Sequence, residues 1–156
     1  MKQSEQVFKG ISSFLHAHGI MTLATVENGK PWTCTVYYGV DKELNLYIVT
    51  NPKTRHGKNF KLNPNVAFAI FDSSTKVTDS KKGVQGQGVC ELVSSLGEIA
   101  KGLALWHGAN PGIEGRITLE VVKKIADTKV FKIKPSYIKF FNKELYGKKE
   151  FDAIEL

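Results

Sequence analysis

Cysteine is scarce in this chain, with two residues, Cys34 and Cys90, among 156. Each lies inside a strand-like segment and no CxxC or HxxxH pattern accompanies them, so two reduced core thiols are expected, with no zinc site and no need of disulfide support. His16 and His18 stand two apart on a predicted helix and should point to different faces, which argues against metal binding there. Long apolar runs are missing too. No stretch of about 18 apolar residues occurs, and the N-terminus lacks the charged, apolar and small-residue order of a signal peptide. A cytoplasmic protein with no membrane partner is therefore expected. Internal repeats and low-complexity tracts are likewise lacking.

Basic residues are abundant, giving a net charge of +7 and a pI near 9.4. Such a balance admits nucleic acid, anionic surfaces or phosphorylated small molecules as partners. The lysines, however, are spread along the chain. Lys81-Lys82, Lys123-Lys124 and Lys148-Lys149 read as solvated surface, and no zinc finger, helix-turn-helix or RNA-recognition signature is present, so no nucleic-acid partner is expected. At 42% hydrophobic and 24% charged residues, the composition is that of a globular protein, and residues 1–156 are expected to form one domain.

The pattern along the chain is dominated by hairpins. Val7, Phe8, Ile11, Phe14 and Leu15 form one helical stripe that Gly19 can end. Strands are predicted over residues 20–26, 31–40, 46–50, 66–72 and 83–92, with Asn28-Gly29 the strongest turn signal. Gly86 and Gly88 in the fifth strand indicate a bend or a close approach by a ligand or another backbone. Residues 97–107 are helix-like and residues 121–124 can continue a helix. Two last strands, 128–133 and 137–142, are separated by Lys134-Pro135-Ser136. Short turns in place of crossover helices argue for an antiparallel sheet. The expected fold is mainly β, a six- to seven-stranded antiparallel split β-barrel of Greek-key type with two to four peripheral helices.

One segment carries most of the functional signal. Leu46 through Thr50 ends a strand, Pro52 stops its ladder, and Thr54 can cap a helix opening with Arg55-His56-Gly57-Lys58. A helix start presents free N–H groups and the positive end of the macrodipole. Cationic side chains are unfavourable there for the helix itself, so their presence asks for an external anion such as phosphate. A solvated basic helix is the alternative reading of the same residues.

With these motifs in their order, the chain resembles the pyridoxamine 5'-phosphate oxidase-like family of FMN-binding split β-barrels. The resemblance rests on Met21-Thr22-Leu23-Ala24-Thr25 after the opening helix, then on Pro31-Trp32-Thr33-Cys34-Thr35-Val36-Tyr37-Tyr38. It continues through Thr50-Asn51, Thr54-Arg55-His56-Gly57-Lys58, Asn63-Pro64-Asn65-Val66-Ala67, Val84-Gln85-Gly86-Gln87-Gly88-Val89-Cys90-Glu91-Leu92 and Val130-Phe131-Lys132-Ile133-Lys134-Pro135.

The resemblance implies a homodimer with FMN at the subunit interface and an oxidoreductase acting on a small-molecule substrate. It implies that Thr33, Cys34, Thr35 and Val36 line the ring or ribityl chain, largely through backbone groups. Val49 and Thr50 would flank the ribityl-phosphate, Arg55 and His56 would hold the phosphate, and Gln85 would lie near the ring. No catalytic residue is assigned; Tyr37, Tyr38 and Trp106 read as pocket groups or as core and interface aromatics.

Three departures from the family pattern stand out. Thr33 and Tyr38 occupy places that are cationic in the oxidase, and His56 stands where lysine is usual, which would make phosphate attraction depend on pH. The chain also ends without the oxidase's Trp- and Arg-rich substrate segment, which argues against vitamin B6 oxidation. The alternative on the same barrel is a non-catalytic module for haem, a deazaflavin or another flat anionic ligand, with His107 as an axial ligand or, more plainly, as a helix-end surface residue.

Overall fold

The computed structural model describes residues 3–156. Helix α1 (Gln3–His16) leads into β1 (Ile20–Glu27) and β2 (Lys30–Val40), joined at Asn28 and Gly29, whose φ angles of 49° and 73° are those of the tight hairpin turn the pair encodes. There follow β3 (Leu46–Thr50), α2 (Arg55–Leu62), β4 (Asn65–Phe71), β5 (Lys82–Leu92), α3 (Leu96–Ala109), α4 (Leu119–Lys124) and β6 (Lys129–Asn142). A short α5 (Lys143–Tyr146), a 3-10 turn (Gly147–Lys149) and β7 (Phe151–Glu155) complete the order.

All strand pairings are antiparallel, in the order β3-β2-β1-β4-β5-β6-β7, and β3 also pairs with β6. That last pairing closes six strands into a barrel and leaves β7 as an outer extension. The division runs through β6 itself. Residues 129–133 pair with β3, whereas Tyr137 to Phe141 pair with β7. The two separate strands expected from sequence are therefore one, because β6 bulges at Ser136, the extra residue between Pro135 opposite Gly88 and Tyr137 opposite Gln87, and a bulge tolerates a missing N–H.

Gly86 and Gly88 are closely packed against other parts of the chain. A Cβ on Gly86 would lie 2.2 Å from Phe68 Cζ, and one on Gly88 would lie 2.2 Å from Lys134 O.

The core follows the alternation of the strands. Leu23, Tyr38, Ile48, Ile70, Ile133 and Ile138 point inward and are fully buried. The predicted stripe of α1 covers this core with Val7, Ile11 and Leu15 buried and Phe8 and Phe14 packed beside them, each full burial being worth about 1.5–3 kcal/mol. Helix α3 lays Ile99 and Leu103 against Tyr47 and Val130. It is clamped by charge as well. Lys101 Nζ donates to Asp41 Oδ2 at 2.8 Å, Lys132 Nζ donates to Glu98 Oε1 at 2.8 Å, and the Tyr47 hydroxyl donates to Glu98 Oε1 at 2.5 Å.

Among the described residues no helix is long and apolar enough to cross a membrane.

Candidate functional site

Strand β3 pairs with β2 only over residues 38–40, then follows β6 to Thr50. The sheet therefore splits between Tyr38 and Ile48. Beyond that point β2 keeps β1 on one side and has no strand on the other. The hydrogen-bond phase fixes what the open edge presents. Tyr38 N–H donates to Gly19 O at 2.9 Å and Ile20 pairs with Tyr37, so alternation turns the backbone groups of Trp32, Cys34 and Val36 toward β1 and those of Thr33, Thr35 and Tyr37 away. The Tyr37 carbonyl accepts from Trp106 Nε1 at 3.1 Å. Backbone donors and acceptors of Thr33 and Thr35 face outward from the sheet edge.

Helix α2 begins beside this split. Thr54 caps it, its hydroxyl accepting from Gly57 N–H at 3.2 Å and donating to Asn51 O at 2.7 Å, while the N–H groups of Arg55 and His56 are left without an intrahelical partner. Gly57 is tight against the preceding turn, since a Cβ there would lie 2.7 Å from Asn51 O and from Pro52 Cα. Buried Asn59 ties the helix to β1, donating from Nδ2 to Thr25 Oγ1 at 2.8 Å. Phe60 packs on Phe131, ring centroids 5.2 Å apart.

His56 Nε2 lies 2.7 Å from Thr50 Oγ1 and 3.1 Å from Thr54 Oγ1. Burial pushes its pKa below the usual histidine value, so the ring is neutral at neutral pH and donates or accepts a hydrogen bond without adding full charge. Arg55 supplies the charge. Its guanidinium sits over the Trp32 ring, 4.2 Å from the centroid, within cation–π range. Trp32 and Gly57 carry no individual signal in the sequence; their roles emerge only when the hairpin end and the helix start meet.

The residues expected at the site separate into three groups. Thr50, Arg55 and His56 gather at the start of α2, with Val49 at the split and the exposed Thr33 and Thr35 along its other side. Cys34 and Val36 turn their side chains to the interior and their backbone groups to β1: Cys34 Sγ donates to Leu23 O at 3.8 Å, burial raises its pKa, and Val36 is core. Gln85 is on neither wall. It reaches Thr35 only through the partners Ala69 and Thr22, roughly 14 Å across three strand spacings.

Other singled-out groups have structural positions. The Tyr38 hydroxyl donates to Leu15 O at 2.8 Å, fixing α1, and Trp106 is buried. His107 offers no nitrogen to a metal: Nε2 donates to Ile117 O at 2.7 Å and Nδ1 is sealed from solvent. His18 lies beyond the end of α1, so the argument from opposite helical faces does not apply to it. Among the described residues there is no cluster of three or more metal-ligating side chains.

The outer face of the sheet has small residues at its centre, Thr22, Ala24, Ala67 and Ala69, ringed by the exposed Ile20, Val26, Tyr37 and Phe71. Its grooves do not coincide with α2. One of 490 Å³ lies over Ile20, Thr22, Thr35 and Ala69, and another of 350 Å³ over Ala24, Val26, Ala67 and Gln87.

A family model described as pyridoxamine 5'-phosphate oxidase matches residues 8–142. UPF0306 protein PM1958 of Pasteurella multocida (strain Pm70) is 37% identical over 97 residues, 61% of this chain and 64% of that protein. A UPF0306 protein of Yersinia pestis is 29% identical over 91 residues, 58% of this chain and 61% of that protein. The chain thus spans less than two thirds of the length of these curated relatives. Among solved structures, a heme binding protein from Mycobacterium smegmatis superimposes with a TM-score of 0.75 at 20% identity, covering 99% of this chain and 59% of that one. ChuZ from Campylobacter jejuni gives 0.76 at 17%, covering 99% and 61%. HutZ, described as the heme storage protein from Vibrio cholerae, gives 0.66 at 19%, covering 83% and 89%. At these identities the likeness establishes the fold.

Proposed function

The chain belongs to the pyridoxamine 5'-phosphate oxidase family, and from that premise we propose that it binds FMN along the open edge of β2 with the phosphate at the start of α2. The observation that carries this reading is the meeting of Thr50, Thr54, Arg55 and His56 at a helix N-terminus beside an unpaired strand edge. The donor set fits a phosphate monoester: one guanidinium, free helix N–H groups and threonine hydroxyls. The edge fits a flat heterocycle, since the N–H and C=O groups of Thr33 and Thr35 can meet alternating acceptors and donors on a ring.

A second copy packed on the outer face would cover its exposed apolar rim and bring another Gln85 toward the split, which is the support for a homodimer. When bound, FMN supplies hydride or single-electron transfer. The threonines at the edge do not titrate near neutral pH, so this chain's contribution is to bind and orient the ring, and the substrate is a small molecule.

Haem is the second reading, favoured by two structural neighbours whose descriptions name heme binding and heme storage. The visible spectrum of the purified protein after separate loading with FMN and with hemin, unbound cofactor removed, distinguishes the two. Retained flavin bands in a dimeric fraction support the FMN reading. A monomer at micromolar concentration that retains no flavin overturns it.

A further inference from the structure

Two polar side chains without solvent exposure, Thr25 and Asn59, meet where α2 joins the β1–β2 hairpin. The Asn59 amide donates from Nδ2 to Thr25 Oγ1 at 2.8 Å, and its Oδ1 is buried with no hydrogen-bond partner among the described residues. An apolar side chain would avoid that desolvation cost; what the amide adds is direction. Thr25 is the strand partner of Trp32, and its hydroxyl reaches Trp32 O at a longer 3.4 Å. The carbonyl of Trp32 and the N–H of Thr33 belong to one planar trans peptide unit and point in opposite directions. The unit that Thr25 holds on the β1 side is therefore the one that turns Thr33 N–H into the split.

The same hairpin residue is held to α2 a second time. The Trp32 ring lies under the Arg55 guanidinium, 4.2 Å from centroid to carbon. Arg55 and Asn59 stand four residues apart in α2, so they share a face one turn from each other. The four residues close a circuit: Arg55 to Trp32, Trp32 to Thr25 across the strand pair, Thr25 to Asn59, and Asn59 back along one helical turn. A single attachment would let the helix pivot. Two attachments a turn apart fix both its distance from β2 and its roll about its own axis, and with them the aim of the free N–H groups of Arg55 and His56.

We propose that Asn59 and Thr25 are positioning residues that set the span between the anion site at the start of α2 and the ring site on the β2 edge, and so select a flavin by the length of the chain joining its ring to its phosphate. The inference rests on the FMN reading above. Neither side chain reaches the ligand, since both are 0% exposed. A molecule that engages two sites at once gains over its separate halves only when its length matches their separation. Holding α2 at one distance supplies that match. Release of the helix removes it, although each half-site, built within the start of α2 or within β2, stays whole.

The test compares dissociation constants of the full chain for FMN, riboflavin and inorganic phosphate, the flavins by their fluorescence and phosphate by tryptophan emission. Thr25→Val removes the hydroxyl at nearly constant shape. It should lower FMN affinity about tenfold while riboflavin and phosphate stay within about twofold of wild type. Thr25→Ser, which keeps the hydroxyl, should match wild type for all three. Equal losses for the three probes would mean general destabilisation, and that pattern, or FMN affinity unchanged in Thr25→Val, overturns the positioning role and leaves the FMN reading standing. A second measurement needs no variant. Wild-type protein should bind FMN at least about tenfold more tightly than a flavin phosphate whose side chain is one carbon shorter, and equal binding of the two overturns the selection by length. Wild-type protein that retains no FMN overturns the FMN reading and this inference together.

Discussion

The Arg55 guanidinium carbon lies 4.2 Å from the centroid of the Trp32 ring, so the cation at the start of α2 is held against the open end of the β1–β2 hairpin. An incoming phosphate would compete with the indole for the same charge. Trp32 emission should therefore change on adding FMN or inorganic phosphate. Arg55→Ala should lower FMN affinity about 10- to 100-fold, the loss of a charge-assisted hydrogen bond, while the exposed Lys148→Ala should leave it unchanged. Flavin fluorescence titration checks both, and equal affinities for the two variants would contradict the assigned phosphate site.

His56 sets a pH dependence whose sign follows from its lowered pKa. The folded protein binds fewer protons than the unfolded chain, so stability rises with pH through the window below the unfolded value of about 6.5 and is lost as pH falls through it. Phosphate acts in the opposite sense because it favours protonated His56, so FMN affinity should increase from pH 7.5 to pH 6. In His56→Asn both trends should flatten, which urea midpoints and flavin titrations at the two pH values would measure.

Gly57 is the tightest point of the helix start. Gly57→Ala forces its new Cβ against Asn51 O, 2.7 Å away, and should cost about 1–3 kcal/mol as an overpacked contact. Flavin affinity should fall as well, because the first turn must move. An unchanged melting temperature and unchanged affinity would mean that the turn is free to relax.

Asp41 is 3% exposed and accepts from Lys101, Asn45 and Glu43 N–H. Burial pushes its carboxyl up, but the Lys101 and Asn45 donors outweigh burial and hold it below the usual range. Asp41→Asn should cost about 1–3 kcal/mol at neutral pH, toward the lower end because Lys101 is partly solvated. The folded pKa lies below the unfolded one, so the carboxylate contribution is complete above about pH 4 and is lost as pH falls through the folded value. Denaturant midpoints of wild type and Asp41→Asn should converge in acid.

What the sequence makes legible is local. Asn28-Gly29 adopts the positive φ angles that its turn requires, and the stripe from Val7 to Leu15 meets the core. The places of the first five strands along the chain follow from such signals. The gathering of Thr50, Thr54, Arg55 and His56 is equally legible, because all four lie within one strand–turn–helix unit.

Long-range relations were not legible. Pro135 reads as a break until the β6 bulge beside it at Ser136 is known, and Phe151–Glu155 is too short and mixed to announce β7. The position of Gln85 depends on strand order, not on spacing in the chain. The orientation of Cys34 and Val36 toward β1 depends on the phase of hydrogen bonding, which composition does not encode.

That phase makes the β2 edge visible to solvent exchange. The amide protons of Cys34 and Val36 are shared with β1, whereas those of Thr33 and Thr35 point into the split. Deuterium uptake in the ligand-free protein should therefore run fast and slow at alternate residues along a single strand. A cofactor seated there would act as a missing strand, and the alternation would disappear in proportion to occupancy.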